Sequence, residues 1–539
     1  MSYRRTIDFL VASTVITISF IIIAPALWIP IAQTLLSHIP SLSSLAERLS
    51  TRESFYASRL AYVVGLTTVL LILGLSIFNF RKNIIQAFSR YLREVDSAYN
   101  LAAVRIVVCS VLLGFTFATE ERILHQASLG THMLVPPFGM KSILSIFPPN
   151  AETVKWLLLS YKVLCVSALV GFGTPLSLLT TALLGTYVLG IPNFYGKVDH
   201  YHHVVWFPLI LAFSRCSRVF SIDAVIFKNL NLASDTNLKS IEYALPIRII
   251  WLCFGVIYFF PGLWKLINAG YAYIIGNNVS LMIQKNSIER GFEPILRLDA
   301  LPLFSQISGL GTIVWELSFI FLVIALPYRA LLASSAVLFH QGTWLMMNID
   351  FLWHQLLLLC FLDFHQIYTY LREKCRGSLT ELRQSSQSID EGKTLSQIFK
   401  LSVVQVGALI LFIEIGFGVV EKVSAWPFAS FPTFGYEEGP TLDRVEISYV
   451  DSTGQEIFLS YAALGKLYGA SSRHFLNHIV NLPEAERLET INDVKKALTA
   501  KKLLPKVIAE LRFYDTLIDV SLSSKQLYYR KKTLLFRIV

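Results

Sequence analysis

Residues 249–265 read IIWLCFGVIYFFPGLWK, sixteen residues without a formal charge closed by a lysine. Arg248 stands just before the run, so two cations bracket 17 residue steps, roughly 25 Å of helix at 1.5 Å per residue. That length approaches the hydrocarbon thickness of a bilayer, and the run predicts a transmembrane helix with a charge at each edge. A second stretch, 196–214, reads GKVDHYHHVVWFPLILAFS and sets Lys197, Asp199, His200, His202 and His203 directly against an apolar segment. Ionisable groups at the edge of lipid-length apolar runs are costly, and their presence is a pointer to function.

The rest of the chain has the same character. Of its 539 residues 54% are hydrophobic and only 16% are charged, and the mean hydropathy is +0.54. Soluble domains carry roughly 25% charged residues. The fold class implied is an all-α polytopic membrane bundle, with the lipid bilayer as its surroundings. The net charge of +10 fits cation-rich cytoplasmic loops, and no nucleic-acid-binding motif is present. Six cysteines (109, 165, 216, 253, 360, 375) are scattered without a CxxC pair, which argues against a disulfide framework or a thiolate metal site.

Eleven apolar runs predict about eleven transmembrane helices: 9–36, 60–78, 101–118, 154–172, 175–191, 204–213, 245–264, 309–325, 330–347, 351–364 and 401–420. Several are short and need polar flanks, tilt or a break to cross. Arg4 and Arg5 precede the first run, which places the N-terminus in the cytoplasm. The stretch 81–96 then reads as a basic interfacial helix on the same side. Cations of loops 215–244 and 370–400 fall there too, whereas loops 119–153 and 192–203 face out. The tail after residue 420 is charged and extracytoplasmic. Its VEISYV–DSTG–QEIFLS segment reads as a hairpin, LPEAERLETINDVKKALTA as a helix and IAELRFYDTLIDVSL as a strand, so it forms a small α+β domain. The organisation predicted is two N-terminal helices with the interfacial helix (1–98), a transmembrane core (99–372), a linker with the last transmembrane helix (373–420) and the C-terminal domain (421–539).

This topology brings ionisable groups from three stretches to one membrane face: Asp199, His200 and His203; Lys265; and His340, Asp350 and His354. A lysine at a helix end commonly snorkels to the interface, but a bend at Pro261–Gly262 would turn Lys265 inward. Glu316, in the middle of GTIVWELSFIFLV, must face the bundle and pair or mark a pathway. Two chemistries fit the cluster. His200 and His203, three residues apart and so on one helix face, would hold a metal, with Asp199 adding oxygen. Alternatively, an apolar pocket favours the neutral amine of a lysine, which accepts a proton while a nearby histidine holds the geometry.

DHYHHVVWFPLILAFS followed by SID, then IYFFPGLWKLINAGYAYIIG, then VLFHQGTWLMMNIDFLW, resembles the HTTM (horizontally transferred transmembrane) family, whose best-known members are vitamin K-dependent γ-glutamyl carboxylases. The similarity covers residues 99–370, about half the chain. It implies an HTTM-like core and a membrane enzyme that uses reduced vitamin K or a related quinol, with O₂ and CO₂ as co-substrates and no metal. Lys265 matches the family's catalytic base and His200 the histidine that supports it, while His340 falls in a pocket-like FHxxxxxxxNI stretch. Quinol epoxidation would then drive carboxylation of an exported protein or peptide substrate. Asp199 stands where those carboxylases have asparagine and puts an anion beside His200. Two other readings are a non-enzymatic HTTM protein that binds a lipid or quinone or helps mature an exported peptide, and a histidine-ligated metal oxygenase.

Overall fold

The computed structural model describes residues 82–539 apart from 83–84, 231–237, 295–296, 326–328, 377–393, 421–424, 429–433, 470–471, 521–527 and 539, together with a few residues between 30 and 38. The chain divides into two compact units, residues 1–89 with 269–271 and residues 90–268 with 272–539. Everything that follows concerns the second. The expected runs 9–36 and 60–78 fall almost wholly outside the described residues; of the expected basic helix, residues 85–93 are helical.

Ten helices organise the bundle: α1 (Ala98–Ala127), α2 (Ala151–Val170), α3 (Thr174–Val188), α4 (His203–Ala212), α5 (Ile241–Asn268), α6 (Asn278–Arg290), α7 (Pro302–Ala325), α8 (Arg329–Met347), α9 (Leu352–Leu357) and α10 (Ser402–Val420). Among the described residues six helices are long and apolar enough to cross a bilayer: α1, α2, the span Thr174–Phe194 that begins with α3, α5, α7 and α10. The expected runs 204–213 and 351–364 form shorter apolar helices, His203–Ala212 and Leu352–Phe361. At 1.5 Å per residue, ten residues reach only about 15 Å, half a bilayer core.

Helix ends follow local chemistry. Asn150 caps α2, accepting from the backbone N–H groups of Glu152 and Thr153, and Gly171 (φ 71°) closes it in a conformation that favours glycine. The Asp223 carboxylate accepts from the N–H groups of Gly173 and Thr174 and from the Thr174 hydroxyl, fixing the start of α3. Buried Arg105 donates to the Cys216 carbonyl at 2.8 Å. The SID triplet at 221–223 is thereby a structural clamp between loop and helix.

α5 is the central helix, with α7 and α10 packed closely against it. A Cβ on Gly255 would lie 3.1 Å from Ile320 Cα, and one on Gly262 would lie 2.8 Å from Glu316 Cβ. Rising numbers on α5 meet falling numbers on α7, so this pair is antiparallel. Gly407 abuts Ile249, and Gly418 abuts Phe260, so α10 runs parallel to α5. Missing side chains let the backbones approach, as at close helix crossings in membranes.

The tail contains β1 (Thr441–Val450), β2 (Glu456–Leu459), α11 (Tyr461–Tyr468), α12 (Ser472–Val480), α13 (Glu484–Ala500), β3 (Glu510–Asp519) and β4 (Tyr528–Ile538). The strands form one antiparallel sheet in the order β2–β1–β3–β4. Asp451 Oδ1 accepts from the N–H groups of Thr453 and Gln455 in the DSTG turn, and Gly454 (φ 83°) completes it. The tail is tied to the bundle by His132 to Thr490 at 2.7 Å, by the Asn278 amide donating to the Tyr436 carbonyl at 3.0 Å, and by a Lys285–Glu438 ion pair.

Candidate functional site

Lys265 lies near the end of α5, and Glu316 is in the middle of α7. Lys265 Nζ donates to both Glu316 carboxylate oxygens at 2.8 Å, and the residues are 3% and 5% exposed. Gly262 permits this pairing, since any side chain there would displace Glu316. α5 continues unbroken through Pro261 to Asn268. The helix is therefore not broken at Pro261, and packing against α7 holds Lys265 inward. A buried pair of this kind is no sign of extra stability, because desolvation offsets most of the attraction.

The pair borders an apolar cavity of about 650 Å³. Most of its wall is hydrocarbon, with residues such as Ile257, Ile283, Phe304 and Leu338. Its ionisable groups include Lys265, Glu316, His200, Tyr258, His340 and His354, and Tyr273, Ser308, Thr312 and Thr343 add hydroxyls. Small-molecule sites have this form, with volumes of roughly 300–1,000 Å³, apolar walls and a few placed polar groups.

Beside the ion pair is a second polar assembly. The Tyr258 hydroxyl sits 2.8 Å from Nε2 of His340 and 2.8 Å from Nε2 of His354. All three residues are buried. The Tyr258 ring packs edge-on to Trp315 (4.7 Å between centroids) and against Phe319 (4.6 Å), which fixes its orientation.

His200 lies in the loop before α4, half-buried, with its ring 6.0 Å from that of Phe351. Burial pushes its imidazole down to about 4, against the opposing charge of Asp199 and with the help of Lys197 and Lys265. The ring is neutral at physiological pH and stands at the cavity wall.

The remaining expected site residues are elsewhere. Asp199 does not line the cavity: its Oδ1 accepts from the His200 N–H at 2.9 Å and its own N–H donates to Asn193 Oδ1. The anion beside Lys265 is Glu316. His203 is the first residue of α4, while His200 precedes the helix, so the two do not share a helix face. His203 is fully buried beneath His354, ring centroids 5.0 Å apart, and neither of its nitrogens has a hydrogen-bond partner among the described residues. Asp350 Oδ1 accepts from the Leu352 N–H at 2.7 Å and serves the start of α9. Among the described residues no group of three or more His, Cys, Asp or Glu is placed to hold a metal ion.

Tyr258 and Phe434 also line the cavity and were not singled out by sequence. Tyr258 lies inside an apolar run, and its partners are 82 and 96 residues away. Phe434 lines the cavity with φ 55°, a left-handed conformation that is strained for an aromatic residue.

Compared with protein-family models, with curated proteins and with solved structures, the chain matches none of them.

The arrangement has a definite chemical capacity. The Lys265–Glu316 pair has no net charge whether the shared proton resides on nitrogen or on oxygen. It can take a proton from a ligand hydroxyl in a water-poor cavity, where each polar contact is strong.

Proposed function

We propose that this chain is a quinol-dependent integral membrane enzyme of the HTTM type, resembling vitamin K-dependent γ-glutamyl carboxylases. The observation that carries the reading is one apolar cavity bordered by both Lys265 and His200, with Lys265 buried against Glu316. In this reading Lys265, coupled to Glu316, accepts the proton of the quinol hydroxyl. His200, neutral at physiological pH, orients the ring. The apolar walls exclude water from the reacting face. When bound, reduced vitamin K or a related quinol supplies the redox chemistry: with O₂ it gives the quinone epoxide and water, coupled to addition of CO₂ at a glutamate γ-carbon of an exported protein or peptide.

The N-terminus is assigned to the cytoplasm and the α+β tail to the extracytoplasmic side, with about eleven crossings in the whole chain. Loop cations support this orientation. The parallel course of α5 and α10 fits the three crossings assigned between them.

A second reading, a quinone- or lipid-binding protein without catalysis, is favoured by one feature: both carboxylate oxygens of Glu316 already engage Lys265, so the pair is satisfied without a ligand. Purified protein supplied with reduced naphthoquinone, O₂ and CO₂ separates the two. Epoxide that accumulates over many turnovers supports the enzyme; tight quinol binding without epoxide supports the binding protein.

A further inference from the structure

Tyr258 has one hydroxyl proton and two histidine neighbours. Its oxygen must donate to one Nε2 and accept from the other. Which is which follows from the outer nitrogens. His340 Nδ1 is buried without a partner among the described residues. A buried orphan N–H is rarer than a buried orphan acceptor, so the His340 proton belongs on Nε2. The chain then runs in one direction: His340 Nε2–H donates to Tyr258, and Tyr258 O–H donates to His354 Nε2. His354, neutral, must carry its own proton on Nδ1. That atom is the remaining hydrogen-bonding group of a ring that lines the cavity.

Tyr258 and Lys265 are seven residues apart on α5, two turns along one helix face, or roughly 10 Å. One cavity is therefore bordered by the proton-accepting pair and by a histidine donor held by a residue of the same helix face. A planar ring with oxygens on opposite carbons would engage both groups, with one hydrogen bond of roughly 2.7–3.2 Å at each end. We propose that Tyr258 is a positioning residue that fixes the His354 tautomer, so that the cavity selects ligands with two oxygens at opposite ends of one apolar ring. This deepens the quinol reading and rests on it.

The test compares 1,4-dihydroxynaphthalene with 1-naphthol, two ligands with the same ring system and two or one hydroxyls. Binding is measured under nitrogen by tryptophan fluorescence in detergent. Wild-type protein is expected to bind the diol about fivefold tighter or more, the worth of one further neutral hydrogen bond. Tyr258→Phe and His354→Phe each bring that ratio to about one, while 1-naphthol affinity stays within about twofold. A loss of packing alone would weaken both ligands and leave the ratio. A ratio of one in wild type, or an unchanged ratio in variants that melt cooperatively, overturns the proposal. If Tyr258→Phe does not fold, His354→Phe decides. Discrimination without epoxide formation under O₂ overturns the enzyme reading alone. Epoxide formation with an unchanged ratio overturns the Tyr258 relay alone.

Discussion

Lys265 is held by Glu316 at both carboxylate oxygens, and each would be a bare buried charge without the other. Removing one partner of such a pair costs about 3–5 kcal/mol, whereas replacing both with apolar groups is often neutral. Lys265→Met and Glu316→Leu should each lower the unfolding temperature sharply, and the double variant should recover most of the loss. Additive losses in a thermal-melt cycle would contradict the buried-pair description. His200 gives a pH signature. Its folded value, about 4, lies below the roughly 6.5 of an unfolded histidine, so the unfolded chain binds the proton first as pH falls. The stability it contributes is complete above about pH 6.5 and is lost as pH falls toward 4. His200→Gln should reduce the slope of melting temperature over that window; an unchanged slope would show that His200 titrates normally. Sequence reasoning found Lys265, Glu316, His200, His340 and His354 because ionisable groups stand out in apolar runs. Tyr258 did not stand out, because a tyrosine in such a run reads as ordinary packing and only the tertiary fold brings it two histidines.

At the scale of elements, the site depends on how closely α5 and α7 approach. Gly255 and Gly262 are seven residues apart and touch Ile320 and Glu316. This spacing was available in the sequence as small residues on one helix face, yet it takes the α7 register to give it meaning. Gly262→Leu should separate the helices, cost about 1–3 kcal/mol by overpacking and break the ion pair. The same change at Gly416, where a Cβ meets nothing within 4 Å, should be mild. Equal melting temperatures for the two variants would refute the close-approach account. The tail's hairpin, its long helix and its β3 strand were legible from alternation and turn residues. β4 was not, because Arg530 and Lys531 interrupt its apolar pattern. In the folded sheet these cations pair with Asp519 and Asp515, and the charges become cross-strand contacts.

For the whole molecule, the cavity is the feature that turns a bundle into a receptor. A ligand that binds only the folded state stabilises it by about 2.7 kcal/mol at one hundred times its dissociation constant. A naphthohydroquinone should therefore raise the melting temperature of the purified protein. Gly311 lines the cavity, and a Cβ there would meet nothing within 4 Å. Gly311→Phe should fill the space, preserve the fold and abolish the ligand-induced shift; a full shift in that variant would place the ligand elsewhere. The membrane class of the chain was readable from composition. Helix length was not, because runs such as 204–213 and 351–364 are continuous apolar stretches but form helices of only ten residues. The central claim is that Lys265, coupled to Glu316, is the base of a quinol reaction. It is tested most directly by epoxide formation with O₂ in wild type and Lys265→Ala side by side, with quinol binding measured on both. The account predicts a loss of about 100-fold or more in epoxidation rate with quinol binding weakened by only about fivefold, the worth of one hydrogen bond; equal rates in the two proteins would contradict it.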